Sequence, residues 1–544
     1  YLRPNRITVN DGATGTPLDP YSLNHYAVTG AGSGQPENND QQRTLFANVQ
    51  RDVLWRVPVT LKAGLDRREG VRDLRADDNR SYSFVGRDGR ASTTPVGTDD
   101  AAAPFWAPEL SERAHPYGFP SIQWVGTSRL LDYYRANPTH LTFDENARYR
   151  ASVTNSKHTE EAVSSAFLRG DVALFERRLK LVGGLRAEQT NIEAEGALTD
   201  ATRNYQRDAS GRVLRAANGT PLLIFPTTNA LAVSQLTFLQ RGTHVEKEYL
   251  RLFPSLNASF NLRENLIVRA ARYFSVGRPD LNQYACGLTL PDPDSDASNP
   301  ANRIVVNNAG IKAWSAETTN ARFEYYFAGV GQISVGGFRR DITNFFGGTV
   351  FNATPEFLAL YGLDPALYDK FDVTTQYNLP GKVRLTGVDF SYKQALTGLP
   401  SWARGVQVFA NASAQRVTGD ATATANFAGY IPRSGSWGAS LTRPGYNLRV
   451  NWNYRGRQRR AVVNANPAAS IEPGTYNWGS KRLYLDVSAE YSLTRRLALF
   501  TNLRNLNDAT EDTEISGPST PAHAQFRSRL DFGSLWTFGL KGTF

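Results

Sequence analysis

Asp292, Asp294 and Asp296 stand at one-residue intervals, the spacing at which a calcium loop presents hard oxygen ligands to a hard cation. The bidentate Glu that completes such a loop belongs eleven residues after Asp292, where the chain carries Arg303. That departure favours a solvated loop over a metal site. The six histidines, His25, His115, His140, His158, His244 and His523, form no H-E-x-x-H or i,i+4 pair, so zinc chemistry has no ligand set. The single cysteine, Cys286, excludes an internal disulfide and a cysteine-ligated metal. No Gly-x-Ser-x-Gly elbow or Walker loop occurs, and Gly30-Ala31-Gly32-Ser33-Gly34, following no evident strand, reads as a flexible loop rather than a phosphate cradle. The sequence predicts no enzyme and no cofactor.

More chemistry lies in charges at fixed places of a repeating pattern. Leu483, Leu485, Val487, Ala489, Tyr491 and Leu493 alternate with Tyr484, Asp486, Ser488, Glu490 and Ser492. Successive strand side chains point to opposite faces, so this segment has one apolar and one wet surface. The pattern recurs over 249–262, 319–327 and 448–455. A soluble sandwich rarely keeps such strict alternation over ten or more residues. Arg186, Glu188, Arg251, Arg322, Glu324, Asp389, Arg449, Asp486 and Glu490 all fall on wet faces. In a transmembrane barrel they project into the lumen, bonding to one another or to a plug, or holding an anionic ligand such as a metal–chelator complex. An Arg facing lipid at mid-membrane instead costs about 2–4 kcal/mol.

The elements that position these residues are strands joined by alternately short and long connections, as in outer-membrane barrels. Short turns fall near Leu54–Arg56, Glu176–Arg177, Arg263–Glu264, Ala328–Gly331, Arg443–Gly445 and Thr494–Arg495. Long loops run roughly through 73–157, 196–243, 277–313, 347–381, 418–432, 457–479 and 507–523. Between them the alternation predicts strands near 44–53, 58–72, 158–175, 178–194, 244–262, 265–276, 314–327, 331–346, 382–396, 404–417, 433–443, 446–456, 480–493, 496–506 and 524–544. Residues 1–43 are read as a loop or partial strand. Within the first long loop, Ser121–Tyr134 suggests a short helix and Arg148–Val153 an extra strand. Loop aromatics (Trp106, Tyr117, Phe119, Trp124, Tyr133, Tyr134, Phe345, Phe346, Tyr361, Tyr368 and Tyr377) either pack the loops or stack on a ligand from outside.

Composition agrees. The 544 residues carry a formal charge of +10, and 11% are aromatic. No apolar run approaches the roughly 18 residues of a spanning helix, which excludes a helical membrane protein but not a barrel. Basic residues are scattered, with no block longer than Arg457-Gln458-Arg459-Arg460, so a nucleic-acid-binding arm is missing. Methionine is absent and the chain opens Tyr1-Leu2-Arg3, which predicts a processed chain or a piece of a longer one.

With strands and loops placed, the residues resemble the barrel of TonB-dependent outer-membrane receptors. Gly184-Leu185-Arg186-Ala187-Glu188-Gln189-Thr190 is similar to that family's mid-barrel "GlRyE-T" strand. Arg269–Asp280, ending Gly277-Arg278-Pro279-Asp280, resembles its strand ending in Arg-Pro. Asn308-Ala309-Gly310-Ile311-Lys312, then Glu317 and Phe323-Glu324-Tyr325-Tyr326-Phe327, resembles "NP-L-P-E…lEYYF", with Ala309 and Ala313 where prolines are usual. Gly387-Val388-Asp389 resembles "GvE", and Thr501 to Asp508 the penultimate "v-NLfN" strand. Trp536, Phe538, Leu540 and Phe544 complete the series as a closing strand whose terminal aromatic is read by the barrel assembly machinery.

The resemblance implies an all-β, antiparallel transmembrane barrel with about 15–16 of 22 strands in this chain, long extracellular loops and short periplasmic turns. It implies an outer-membrane receptor in a Gram-negative-type cell that captures a scarce solute, such as a ferric siderophore, a cobalamin-like compound or an oligosaccharide. Import would draw on TonB, contacted through a plug not in this chain. The remaining strands and the plug are expected in sequence ahead of Tyr1. Outer-membrane lipid and lipopolysaccharide are its expected surroundings, a small-molecule or metal-chelate ligand its cargo, and nucleic acid no partner. The rivals are a plugless passive porin and a soluble basic β-protein that binds polysaccharide or nucleic acid.

Overall fold

The structure is a computed structural model and describes residues 7–54, 56–75, 80–92, 98–111, 120–284, 287–306, 311–327, 330–463 and 470–543. Fifteen long strands build one curved wall. They are β1 (Glu37–Leu54), β2 (Pro58–Arg75), β3 (Lys157–Leu174), β4 (Leu179–Asp200), β5 (Phe238–Arg263), β6 (Leu266–Gly277), β7 (Trp314–Phe327) and β8 (Gly331–Thr343). The wall continues with β9 (Lys382–Ala395), β10 (Val406–Gly419), β11 (Arg433–Arg443), β12 (Tyr446–Arg455), β13 (Arg482–Ser492), β14 (Leu497–Arg504) and β15 (Leu535–Gly542). Each strand is antiparallel to the next, from β1 against β2 through β14 against β15. This is the expected antiparallel transmembrane β-barrel. The order around the barrel returns from β15 to β1, but no residue-by-residue register joins those two among the described residues.

Alternation decides the faces. On β5, Leu250, Leu252 and Leu256 lie on the convex side and are exposed. The concave side is marked by a cavity to which strands β4 to β10 all contribute, with Asn257, Arg269, Asn320, Arg322, Asp389 and Ser413 in its lining. Within the apolar band the rungs are therefore apolar outside and polar inside. At the short-turn end the outward positions of four strands are Tyr325, Tyr392, Tyr446 and Tyr491, the aromatic girdle that barrels place at the membrane–water boundary.

Strand bounds follow the alternation where one face is apolar and overrun it where both are polar. β7 and β11 occupy 314–327 and 433–443, as predicted. β1 begins at Glu37 rather than residue 44, and β4 and β5 meet well above the apolar rows, with Phe238 opposite Thr199. Those extensions are held by backbone pairing, with no apolar period to announce them.

Three expectations are corrected. Arg148–Val153 is not a strand but lies in the helix Glu145–Asn155, because the Asp144 carboxylate caps it by accepting the Ala147 N–H at 2.8 Å. Gly30–Ser33 is not a flexible loop but a strand on Arg80–Phe84. A Cβ on Gly30 would meet the Tyr82 carbonyl oxygen at 2.7 Å, so only glycine allows that approach. The expected last strand 524–544 is two pieces: Phe526–Leu530 joins an extracellular sheet, and Gly533, at φ 62°, turns the chain into β15. The helix expected over Ser121–Tyr134 forms as Thr127–Ala136.

The short turns are tight. At Arg443–Tyr446, Pro444 fixes the turn and Gly445 takes φ 95°, a pairing that side-chain-bearing residues resist. The long loops fold on cores of their own. Residues 23–31 and 82–141 share one around Leu23, Phe84, Phe105 and Leu141. Residues 288–306 and 351–373 share another around Leu288, Ile304, Leu358, Phe371 and Val373, seated on Val245 of β5 and Leu198 of β4. A four-stranded sheet of 458–462, 476–479, 511–516 and 526–530 forms a third cap.

The two faces predict opposite responses to one substitution. Ala258→Arg, outward on a rung that is apolar on both neighbouring strands, should lower stability in phosphocholine vesicles by about 2–4 kcal/mol. Asn257→Arg, its inward neighbour, should change it by under about 0.5 kcal/mol. Urea unfolding followed by tryptophan fluorescence reads both, and equal losses would contradict the assignment of faces.

Candidate functional site

The inner face of the wall carries the candidate site, because every charge singled out in the sequence projects there by register. Arg186 and Glu188 sit two apart on β4, so both point inward, and the Arg186 Nε donates to the Glu188 Oε1 at 2.6 Å. From β2, Asp66 accepts the Arg186 Nη2 at 2.9 Å and the Ser165 hydroxyl at 2.8 Å. Arg278 reaches the other side of Glu188, with Nη2 donating to Oε2 at 2.6 Å, and its Nε stands 3.9 Å from a Glu161 oxygen. That Glu161 oxygen and the Arg278 Nε are both buried without a hydrogen bond. The result is a chain of alternating charge, Asp66–Arg186–Glu188–Arg278–Glu161, running from β2 to the segment after β6.

The second group lies across β6 to β10. Glu324 is committed: the Arg269 Nε donates to it at 3.1 Å and the Tyr326 hydroxyl at 3.0 Å. Arg322 and Asp389 are not. Both line two adjoining cavities of about 590 and 920 Å³, together with Ser413, and neither makes an ion pair or side-chain hydrogen bond among the described residues. A cation and a carboxylate free at the edge of a serine- and asparagine-lined hollow are groups that a polar ligand can engage without first breaking a protein pair.

The other expected lumen residues are dispersed. Arg449 lies over the Phe409 ring at 4.9 Å and Arg251 over Tyr249 at 6.0 Å. Asp486 accepts from the Asn453 Nδ2 at 2.9 Å and from the Asn505 backbone N–H at 3.0 Å. Glu490 pairs with Lys541 at 3.3 Å. The sequence reading passed over Asp66, Glu161, Arg269 and Arg278. Asp66 and Glu161 stand at inward positions of β2 and β3, where alternation is interrupted by other charges. Arg278 lies just past the end of β6 at Gly277, where alternation stops assigning a face.

The loop aromatics divide. Tyr133 packs against Phe84 and Phe105 at 5.9 and 5.1 Å and bonds the His140 Nδ1 through its hydroxyl at 2.6 Å. Tyr134 packs on Tyr82, Phe345 on Phe346 and Phe427, Tyr361 on Phe357, Tyr368 on Phe371 and Tyr377 on Phe351. Trp106 and Trp124 remain open to solvent, at 40% and 50% exposed. Trp536, Phe538 and Leu540 face outward on β15 and are exposed. His115, Tyr117, Phe119, Cys286, Asn308 to Gly310 and Phe544 lie outside the described residues.

The aspartate triplet is spent internally. Asp292 accepts the Tyr205 hydroxyl at 2.9 Å and the Asp294 N–H, Asp294 pairs with Arg215, and Asp296 accepts from Ser298. Burial, with help from the Asp292 carboxylate, pushes the Tyr205 phenol up to about 12. Among the described residues no cluster of acidic, histidine or cysteine side chains is disposed to hold a metal.

Two arginines should separate structural from binding roles. Arg186→Met removes the cation that Asp66 and Glu188 share and should cost about 1–3 kcal/mol, partly recovered by adding Asp66→Asn. Arg322→Met, which breaks no pair, should leave stability within about 0.5 kcal/mol. Denaturant midpoints measure both; a loss at Arg322 equal to that at Arg186 would contradict the free state of its guanidinium.

A family model described as TonB dependent receptor-like, beta-barrel, matches residues 2–506. A search of curated proteins returns no match. Among solved structures, the ferric-catecholate import receptor Fiu from K12 E. coli is similar at TM-score 0.52 and 13% identity, over 94% of this chain and 55% of that one. The ferric citrate transporter FecA aligns at 0.49 and 12%, over 95% and 56%, and the siderophore receptor PiuA from Acinetobacter baumannii at 0.48 and 11%, over 93% and 56%. The chain thus spans little more than half the length of these structures, which are receptors and transporters rather than enzymes. The match takes in every strand of the wall except β15: the chain belongs to the TonB-dependent receptor-like β-barrel family.

Proposed function

We propose that this chain is most of the barrel of an outer-membrane receptor that captures a scarce solute and imports it with energy delivered by TonB. The observation that carries the reading is the family membership over residues 2–506. On it rest the placement in a Gram-negative-type outer membrane, contact with TonB through a plug outside this chain, and insertion by the assembly machinery through the aromatic end of β15. The barrel itself breaks no bond. It supplies a wall, capping loops that close over a ligand, and a polar inner face.

For the solute, the reading is an anionic metal–chelator complex rather than a neutral sugar. Its support is the free Arg322 in a hollow of hydroxyl and amide groups, with Asp389 as the one carboxylate in the lining. Guanidinium groups present planar, charge-assisted donors suited to carboxylate or catecholate oxygens. Fiu imports a ferric catecholate by its description, a cargo of that class.

The test uses the full-length protein in cells with and without TonB, supplied with radiolabelled ferric catecholate or ferric citrate. Uptake of one chelate is expected to require both proteins, and Arg322→Met should raise the half-saturating concentration at least tenfold, worth about 1.4 kcal/mol. Uptake that survives loss of TonB, with a large open conductance in planar bilayers, would establish a passive porin and overturn the reading.

A further inference from the structure

The outward face changes character along a single rung above the apolar band. On strands β6 to β10, one cross-strand row reads Val268–Phe323–Val335–Phe390–Ala412, and the next reads Ala270–Ala321–Gly337–Val388–Ala414. The row above these reads Arg272–Thr319–Arg339–Thr386–Arg416, an arginine on every second strand. The row beyond it holds Phe274, Glu317, Asp341, Arg384 and Thr418, and Lys382 and Arg433 flank the group on β9 and β11. Neighbouring strands lie roughly 4.8 Å apart, which sets the three arginines of the row roughly 10 Å apart in a line.

Carboxylates do not neutralise this belt. Glu317 accepts from Arg272 at 2.7 Å, and Asp341 is shared by Arg339 at 2.8 Å and Arg384 at 2.7 Å. Arg416, Arg433 and the Lys382 ammonium have no ion pair among the described residues. The side chains of Arg272, Arg339 and Arg384 remain 67, 53 and 43% exposed in spite of their pairs. Six cations thus face three carboxylates, Glu317, Asp341 and Asp420, the last accepting the Lys382 backbone N–H, at the rim of a hydrocarbon-compatible surface. On β3 to β5 an outward rung carries the opposite sign: Glu160, Glu193 and Glu246 share it. A barrel needing only solubility at its rim would have no cause to sort its charges in this way.

We propose that the belt centred on Arg272, Arg339 and Arg416 is a docking site for phosphate groups on lipids of the outer leaflet. The inference rests on the membrane placement proposed above. Charge complementarity favours this occupant, because phosphorylated headgroups are the anions held at the depth where the apolar rows end. Basic side chains at a membrane surface attract such headgroups, and guanidinium groups bind phosphate through paired hydrogen bonds. Thr319 and Thr386, between the arginines, add hydroxyl donors in the same line.

The test uses the full-length protein in a neutral detergent with radiolabelled bisphosphorylated lipid A, its dephosphorylated counterpart, and inorganic phosphate. The bisphosphorylated lipid should bind at least tenfold more tightly than the dephosphorylated one. Arg272→Gln/Arg339→Gln/Arg416→Gln should abolish that preference. Arg416→Gln alone, which breaks no internal pair, should reduce it severalfold, and the heat-modifiable migration of the folded barrel should persist in both variants. Equal binding of the two lipids, an unaltered preference in the variants, or saturation by inorganic phosphate at the same concentrations would overturn the proposal. A protein that enters neither neutral nor lipid A-containing vesicles refutes the membrane reading instead, whereas insertion into both without phosphate preference refutes the belt alone.

Discussion

Hydrocarbon has no water to offer an amide, so every backbone N–H and C=O within it must be bonded by the protein itself. The wall meets that demand by pairing each strand with its neighbour along almost its full length, eighteen rungs between β1 and β2 alone. Side-chain chemistry is then constrained to follow. Once the ladders fix the pleat, each residue has only two directions open to it, toward lipid or toward the lumen, and a shift of one residue would exchange them all. The requirement falls hardest on β1 and β15, which share no register among the described residues.

The lumen charges follow from the same constraint. Arg186, Asp66, Glu188 and Arg278 come from three different stretches of chain, yet register delivers them to one line. Their mutual bonds offset the loss of solvent that a half-buried guanidinium would otherwise suffer. Arg322 and Asp389 lie beyond the reach of that line, which leaves them available. The difference between a structural and a binding charge here is one of neighbours rather than of residue type.

How much was legible depended on whether a residue's neighbours differed between its two faces. The apolar rows of β5, β7, β12 and β13 announce themselves, because lipid accepts one face and rejects the other. β1 above residue 44 and the upper halves of β4 and β5 stand clear of lipid, so nothing in their composition separates them from loops. The helix at Glu145–Asn155 hid for a related reason: its stability comes from a capped start and a core contact at Val153, not from a period in its apolar residues. The Asp66–Arg186–Glu188–Arg278 line was half visible, since alternation places a residue on a face but does not say which residue of a distant strand stands opposite. The aspartate triplet reads correctly as a loop rather than a calcium site, but its partners Tyr205 and Arg215, some eighty residues upstream, could not be seen in the spacing.

The caps at the long-loop end carry hydrophobic cores of their own, around Phe84 and Phe105 in one and around Leu358 and Phe371 in another. The first takes no residue from the fifteen long strands, whereas the second is anchored on Val245 of β5 and Leu198 of β4. Exchanging the first cap would leave the packing of the wall intact, and exchanging the second would not.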